Sequence, residues 1–329
     1  MRVQLLKYDL KRFVPIQLWM LAAKLLKTRR EDQYREVNAG AASEATYLII
    51  RRRPPGAGLF SNVNHVLQGL LRAESLGLIP VVDMQNYITE QNCHYKLGNT
   101  RNSWEYFFRP VSDVRLEDMG TEFSRVLTAG DRILPSHWLA DLNLGFMDQE
   151  NQIVEIGRVL ESRIKLNDFC NELLIETIKF IGWDSENTLG LFYRGTDYIK
   201  LQPKGHAIQP TPLEFINKSR KLIDNYKSSR LLLVTQDKDV KKYFTQNYKN
   251  IVAPDLERSD YFRSLVRNLV PNFKKNDGRS FNTYRYLIET YLLSKAESCI
   301  ASVANGSAFA ILLNQNQYKE KIVIRNGIY

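Results

Sequence analysis

Short apolar segments alternate with segments of helical period through the second half of the chain, and this rhythm constrains the fold more than any other sequence feature. The apolar segments are rich in Leu, Ile, Val and aromatic residues, as buried strands are. The segments between them repeat apolar residues three and four positions apart, as amphipathic helices do. This alternation indicates a parallel sheet covered by helices on both faces, with strands at 188–193, 231–235, 250–253 and 298–302 and helices at 212–226, 237–248 and 281–294.

The first half contains one unit of the same kind. An apolar, β-branched segment at 46–50 precedes a glycine-rich loop, a segment of helical period and a second strand at 79–83. Asn62 or Ser61 is the predicted N-cap of the helix, and Gly77 marks its end. Two parallel strands joined through a helix place the loop after the first strand where ligands bind in open parallel sheets.

The length of 329 residues is enough for two domains. We predict a basic N-terminal helical segment at 1–45, an N-terminal α/β domain at 46–180 and a C-terminal α/β domain at 181–329. A long helix from about 151 to 180 is expected to connect the halves. The segment 104–148 has no clear period and predicts no more than a helix or two.

The three cysteines give no sign of a disulfide framework or a zinc site. Cys93, Cys170 and Cys299 are odd in number and unevenly spaced, and they lack a CxxC or Cys/His ligand pattern. A reducing compartment is therefore predicted, with the cytoplasm the expected location.

The positive charge is concentrated at the N-terminus. Residues 1–53 hold twelve Lys/Arg against five Asp/Glu, a net of +7 out of +10 for the whole chain. The apolar stretch 13–26 is interrupted by Gln17 and Lys24 and is shorter than a membrane span. Residues 1–30 form either a helix packed on the body of the protein or an interfacial helix on an anionic membrane, such as the inner face of a bacterial membrane. The aromatic residues do not interleave with the basic ones as in nucleic-acid-binding modules, so no nucleic-acid partner is predicted.

A cation and small polar residues follow the strand 188–193 directly. Arg194 can hold a phosphate through two parallel hydrogen bonds, Gly195 lets the backbone approach it, and Thr196 adds a hydroxyl. The carboxyl end of a strand is where ligands bind in α/β sheets. Alone, the turn Arg194–Asp197 is also compatible with a capped surface loop.

Two further turns have the same character. The loop ending at Gly58 leads into a helix whose first N–H groups attract anions, and Asn62 and His65 lie in its first turns. This loop is equally compatible with a tight turn, and His65 with a structural histidine. The turn Asn305-Gly306-Ser307-Ala308 follows the strand 298–302 and opens a helix at 309–313. Together, the three turns predict a cleft between two domains that closes on a phosphate-bearing ligand.

The order of several short motifs resembles that of the fucosyltransferase superfamily, which includes the α-1,6-, nodulation-type and α-1,2-fucosyltransferases and the protein O-fucosyltransferases. The resemblance covers about 47–83 and 188–313, with a short aromatic stretch between them. It is carried by Gly58-Leu59-Phe60-Ser61-Asn62, Ser103-Trp104-Glu105-Tyr106-Phe107-Phe108, Phe192-Tyr193-Arg194-Gly195-Thr196-Asp197, Val234-Thr235-Gln236-Asp237 and Leu293-Ser294-Lys295-Ala296-Glu297. It implies an α/β fold of GT-B type, with two Rossmann-like domains facing across a cleft.

The resemblance also implies roles for individual residues. In the superfamily a His-x-Arg-Arg-x-Asp run grips the diphosphate of GDP-fucose. Its first Arg corresponds to Arg194 and its Asp to Asp197, whereas Phe192 and Gly195 replace its His and its second Arg. The implied donor-binding residues, with Glu289 as the reader of guanine, are Gly58, Asn62, His65, Tyr193, Thr196, Thr235, Asp237, Glu289, Ser302, Asn305, Gly306 and Ser307. The alternative for Glu289 is a solvated residue of its helix.

The implied reaction is a direct displacement. An acceptor glycan hydroxyl attacks the anomeric carbon, the nucleoside diphosphate leaves and the configuration inverts. Asp197 and His206 are the nearest candidates for the general base, although an acidic residue of the N-terminal half is equally possible. Asp237-Lys238-Asp239 matches a DxD motif, but it opens a helix, where carboxylates stabilise the N-terminus. We therefore predict a metal-independent transferase without a cofactor, acting in bacterial cell-surface polysaccharide synthesis.

Two alternatives remain at this stage. One is a transferase on the same scaffold that uses a different nucleotide sugar, since two residues of the superfamily motif are replaced. The other is a noncatalytic module that binds a nucleotide or a glycan.

Overall fold

The computed structural model describes most of the second half of the chain and parts of the first. The described residues are 34–37, 46–51, 58–85, 89, 91, 100–117, 125–129, 149–202, 206–226, 230–252, 260–269 and 278–329. The predicted membrane-binding segment 1–30 and the glycine loop up to residue 57 lie outside them. Of the predicted helical segment 1–45, only Tyr34–Val37 is described, and it forms a strand. None of the helices in the described part of the chain combines the length and hydropathy of a membrane span.

The chain forms two compact units, the first comprising Met1–His137, Ser162–Phe169 and Val270–Asn272. The described elements of this unit are β1 (Tyr34–Val37), β2 (Thr46–Ile50), α1 (Leu59–Leu76), β3 (Ile79–Val82) and β4 (Arg125–Ala129). The four strands have the spatial order β1-β4-β2-β3. β1 is antiparallel to β4, and the other pairs are parallel.

The predicted strand-helix-strand unit is confirmed by β2, α1 and β3. α1 buries Val63, Val66 and Leu67, and a Cβ at Gly69 would lie 2.5 Å from the Cδ1 atom of Ile50, so the helix backbone lies close to β2. Gly77 ends the helix in the left-handed region, as predicted. The predicted N-cap is wrong: Gly58 is the N-cap, and its carbonyl accepts from the N–H groups of Ser61 and Asn62, which already belong to the helix.

A buried asparagine fastens the following loop to this sheet. Asn102 donates from Nδ2 to the carbonyl of Val82 at 2.8 Å and accepts from the Met84 N–H at 3.1 Å. Its side chain therefore supplies two hydrogen bonds to the backbone at the carboxyl end of β3, where buried N–H and C=O groups need partners.

The predicted long helix at 151–180 is wrong. Two helices, α2 (Glu150–Arg163) and α3 (Asp168–Ile181), replace it. The residues between them pair with the aromatic stretch: Leu166 forms a β-bridge with Phe108, and Asn167 donates from Nδ2 to the Glu105 carbonyl at 2.9 Å. These bonds hold the backbone extended, so the helical period cannot continue through this point.

The second unit comprises Trp138–Glu161, Cys170–Leu269 and Phe273–Tyr329. The described elements after α3 are β5 (Thr188–Tyr193), α4 (Thr196–Leu201), α5 (Pro212–Asn225), β6 (Arg230–Thr235), α6 (Lys238–Asn247), α7 (Asp260–Leu269), α8 (Gly278–Leu293), β7 (Ser298–Ser302), α9 (Asn305–Asn314) and β8 (Lys321–Ile324). The sheet of this unit has the order β6-β5-β7-β8 with every pair parallel, as predicted from the alternation of strands and helices.

The two central strands of this sheet form its core. Every residue of β5 and β7 is buried, and α5 and α8 both contact β5. Two predicted boundaries change. The predicted strand 250–253 is represented in the described residues by a single bridge between Ile251 and Leu231. The last predicted helix begins earlier than 309, at Asn305.

Candidate functional site

The turns after β5, β6 and β7 lie on the same edge of the second sheet. Tyr193 pairs with Thr235 on β6, and Phe192 pairs with Ala301 on β7. The residues that follow these positions therefore emerge side by side. This register brings Arg194, Gln236 and the segment 303–307 to one edge.

Arg194 connects the three turns. Its backbone N–H donates to Ser302 Oγ at 2.8 Å, and its Nη1 lies 3.4 Å from Gln236 Oε1. Its guanidinium carbon lies 5.6 Å from the ring centroid of Tyr198, one helical turn further on. The side chain is half-buried, so a permanent positive charge stands at the carboxyl end of the central strand.

The hydroxyls of the two serines in the β7 turn form hydrogen bonds with backbone groups of the protein itself. Ser302 and Ser307 are fully buried. Ser307 Oγ donates to the Ser302 carbonyl at 2.7 Å and accepts from the N–H of the N-cap residue Ala304 at 3.0 Å. These hydroxyls shape the turn, so the donors that the turn can offer to an anion are the backbone N–H groups of the first turn of α9, which includes Asn305 and Gly306.

The two glycines at this edge make room for aromatic rings. A Cβ at Gly306 would lie 2.1 Å from the Tyr286 hydroxyl and 3.1 Å from the Phe192 ring. A Cβ at Gly195 would lie 2.3 Å from the Tyr193 hydroxyl. Close packing, and not only backbone access to a ligand, therefore requires glycine at both positions.

Tyr193 is a core residue at the base of this edge. Its side chain is 1% exposed, its hydroxyl donates to the Pro210 carbonyl at 2.9 Å, and its ring centroid lies 4.9 Å from that of Phe215. Burial raises the pKa of its hydroxyl well above the ordinary value. Tyr193 therefore anchors the residues near Pro210.

Thr235 and Asp237 order the turn after β6. Thr235 Oγ1 accepts from the Asp237 N–H at 3.1 Å. Asp237 Oδ1 accepts from the N–H groups of Asp239 and Val240, both at 3.0 Å, and so caps α6. This helix-capping role is the one that the sequence indicated for the DxD-like segment. Among the described residues, no group of three or more His, Cys, Asp or Glu side chains could hold a metal ion.

Glu289 lies buried in α8, not on a solvated helix face. It is 4% exposed, and its Oε1 lies 3.7 Å from Nε of Arg285, one helical turn earlier. Burial raises the pKa of the Glu289 carboxyl to about 7, although Arg285 and Lys241 act in the opposite direction. The carboxyl therefore changes charge near neutral pH.

The candidate bases follow Arg194 in the chain. Thr196 and Asp197 form the first turn of α4, but their side chains lie outside the described part of the structure. His206 is half-buried, and its ring stands at 72° to that of Tyr198 with centroids 5.5 Å apart. Arg194 and His206 therefore both contact Tyr198.

Two of the predicted residues of the first unit, His65 and Asn62, make hydrogen bonds near the carboxyl ends of β2 and β3. His65 Nε2 donates to the Arg51 carbonyl at 2.8 Å, and Arg51 Nε donates to the fully buried Asp83 at 2.8 Å. Asn62 donates from Nδ2 to Gln91 at 3.0 Å. His65 thus holds the backbone where β2 ends, which agrees with the structural alternative given above for this residue.

Sequence reasoning missed Gln236 and Tyr198 as neighbours of Arg194. Gln236 could have been found from its position between Thr235 and Asp237 at a strand end. Tyr198 had no comparable signal, because Arg194 lies before the N-cap of the helix that carries Tyr198. The pair Arg51 and Asp83 could be inferred from residues that end adjacent parallel strands.

No protein family and no curated protein matches this chain. Similar solved structures include a NodZ α-1,6-fucosyltransferase soaked with GDP-fucose, 15% identical with a TM-score of 0.47, over 82% of this chain and 92% of that one. NodZ from Bradyrhizobium is 14% identical with a TM-score of 0.46, over 83% and 93%. A FUT1 mutant from Arabidopsis thaliana in complex with GDP is 11% identical with a TM-score of 0.49, over 98% and 77%.

The class of architecture seen here is α/β with largely parallel sheets. At these identities and TM-scores, we assign no activity to this chain from the comparison and argue function from the site residues.

Proposed function

We propose that the carboxyl edge of the second sheet binds the diphosphate of a nucleotide sugar and that the protein is a glycosyltransferase. The observation that carries this proposal is the placement of Arg194. Its charge lies at the end of the central strand, beside the turns of β6 and β7. A planar guanidinium can hold two phosphate oxygens at once.

The β7 turn supports the same ligand. The first turn of α9 directs N–H groups out of the helix toward an anion, and Ser302 ties this turn to the backbone of Arg194. A guanidinium and backbone donors fixed in this way stabilise the negative charge that grows on a leaving diphosphate. The protein thereby lowers the barrier to departure of the nucleoside diphosphate.

GDP-fucose is our first choice of donor. Glu289 supplies a carboxyl that, when ionised, accepts two hydrogen bonds from a guanine base. Phe192 is buried and packs near Tyr286, and Gly195 is closed in by Tyr193. Because Phe192 replaces the polar His of the superfamily motif with a core residue, and Tyr193 leaves no room for its second Arg at position 195, a different nucleotide sugar on this scaffold is the alternative donor.

The proposed reaction is an inverting displacement by a glycan hydroxyl. Asp197 and His206 remain the proposed bases, and Arg194 supplies the positive charge that a metal ion provides in other transferases. The same proposal includes a GT-B arrangement and donor contacts of Gly58, Asn62, His65 and Thr196. It also includes a cytoplasmic location with membrane contact through residues 1–30.

A noncatalytic nucleotide-binding module is the second candidate. It is favoured by one observation, namely that the side chains of Ser302, Ser307 and Asp237 are bonded to backbone groups. Such an edge binds phosphate without supplying further catalytic groups.

Replacement of Arg194 tests the proposal. We expect Arg194→Ala to weaken GDP binding at least tenfold, the loss of a charged hydrogen bond of about 1.5–3 kcal/mol, and to reduce release of nucleoside diphosphate about 10²–10³-fold. Arg194→Lys should recover part of the binding. Lys218→Ala removes an exposed charge from the same unit and should change neither quantity.

The measurements are calorimetric titration with GDP, UDP, CDP, TDP and ADP, and assays of diphosphate release from activated sugars with varied acceptors. Binding without release from any sugar would favour the module. Equal binding by wild type and Arg194→Ala would contradict the proposed site.

A further inference from the structure

The Tyr198 ring lies between two groups of the proposed site. The Arg194 guanidinium carbon lies 5.6 Å from the centroid of this ring, a distance at which a cation is attracted to an aromatic face. The His206 ring meets the same tyrosine edge-on, with centroids 5.5 Å apart. Arg194 and His206 thus share one aromatic neighbour.

The backbone is fixed by hydrogen bonds both in the helix that carries Tyr198 and in the segment that carries His206. On the Tyr198 side, the carbonyls of Gly195 and Tyr198 accept from the N–H groups of Ile199 and Gln202, at 2.8 and 2.9 Å, which fixes the backbone of α4. Arg194 precedes the N-cap Gly195 of α4, and its guanidinium reaches back over the Tyr198 ring from there.

The segment that carries His206 is held from several directions. Residues 327–329 pair with it, since Ile208 donates to the Gly327 carbonyl and Tyr329 to the His206 carbonyl, both at 3.0 Å. Gln209 donates from its buried side chain to the Val303 carbonyl at 2.8 Å in the β7 turn. His206 therefore has a fixed backbone, and the ring contact with Tyr198 sets the direction of its imidazole.

We propose that Tyr198 is a positioning residue that orients Arg194 and His206 relative to each other. This inference rests on the proposed function, because it assumes that a diphosphate binds at Arg194. The tyrosine face holds the guanidinium, and the imidazole packs against the same ring at 72°. A diphosphate that forms hydrogen bonds with Arg194 therefore shifts the guanidinium and with it the Tyr198 ring. The imidazole of His206 changes its position as the ring moves.

The test compares Tyr198→Phe, which keeps the ring, with Tyr198→Leu, which removes it. The readouts are GDP affinity, the NMR resonances of the Arg194 Nε–H group and the imidazole resonances of His206, assigned with Arg194→Lys and His206→Gln. Leu201→Ala, at a 74% exposed position of the same helix, is the control for changes in α4. Thermal unfolding verifies that each variant is folded.

We expect wild type, Tyr198→Phe and Leu201→Ala to bind GDP equally and to show a shift of the His206 resonances on titration. Tyr198→Leu should bind about two- to fivefold more weakly, as expected for loss of one exposed cation–π contact. Its Arg194 and His206 resonances should move even without GDP, because the ring current is gone, and its His206 response to GDP should disappear.

Two results separate this inference from the proposed function. If the free Tyr198→Leu protein keeps the wild-type Arg194 and His206 resonances, or if its His206 responds to GDP as in wild type, the positioning role is wrong. If wild type does not bind GDP or any other nucleoside diphosphate, the proposed function fails. In that case the resonances of the free proteins still decide whether Tyr198 contacts the two side chains, and without that contact the positioning role is wrong.

Discussion

At the level of single residues, Glu289 is a carboxyl group whose burial dominates its chemistry. Burial raises its pKa to about 7, above the ordinary value of about 4.3 that it has when unfolded. The folded protein therefore holds this proton more tightly than the unfolded chain. The resulting stabilisation is complete at low pH and is lost as the pH rises through about 7.

Glu289→Gln removes this titration. We expect the stability of wild type relative to Glu289→Gln to fall between about pH 4 and pH 7, from the unfolded to the folded pKa, and to be constant above that range. Thermal unfolding of both proteins across this interval measures the effect. The control is Glu172→Gln, at an exposed position of α3. The stability of wild type relative to this variant should stay nearly constant across the same pH interval. If the stability difference between wild type and Glu289→Gln is also independent of pH, titration of the buried Glu289 carboxyl is not the cause.

The location of Arg194 could be predicted from the sequence because a run of buried residues has to end at a solvent-accessible turn. The partners of Ser302, Ser307 and Asp237 could not. Ser302 faces the backbone of Arg194 only because β5 and β7 are neighbours, and that neighbour relation is not encoded near either residue. A hydroxyl that caps a turn and one that binds a phosphate look alike in sequence.

At the level of elements, the contact between α8 and α9 depends on Gly306. We expect Gly306→Ala to destabilise the protein by about 1–2 kcal/mol, because the added methyl overlaps the Tyr286 hydroxyl. Tyr286→Phe removes that hydroxyl, so the double variant should recover part of the loss. Denaturant unfolding of both single variants and the double variant gives the coupling energy. Strictly additive effects would show that the overlap is not the cause.

The elements that the sequence predicts well are those with continuous apolar character. β5 and β7 are buried at every position, and α1 has a regular apolar face. β4 and β8 were missed because they are short and mix charged with apolar residues. The long helix was predicted wrongly because its helical period is locally plausible, whereas the pairing of Leu166 with Phe108 that interrupts it is a long-range contact.

At the level of the whole molecule, the two compact units are expected to unfold as separate transitions in scanning calorimetry. Asn102→Ala leaves the Val82 carbonyl and the Met84 N–H without their buried partner. It should lower the free energy of unfolding of one transition by about 1–3 kcal/mol. Gly306→Ala should lower the other.

GDP distinguishes the units further. At about 100 times its dissociation constant, it should stabilise by about 2.7 kcal/mol the transition that Gly306→Ala lowers. The transition sensitive to Asn102→Ala should move less. One transition that responds equally to both substitutions and to GDP would show that the units unfold together.

The packing of Tyr193 against Gly195 also bears on how this sequence can change over generations. An arginine at position 195, as in the superfamily motif, would collide with a ring that is buried and bonded to Pro210. Tyr193 would have to become smaller first, and that change alone would leave a cavity and release the segment that carries His206. Each step is harmful until the other has occurred, so selection acts on the two positions as a pair.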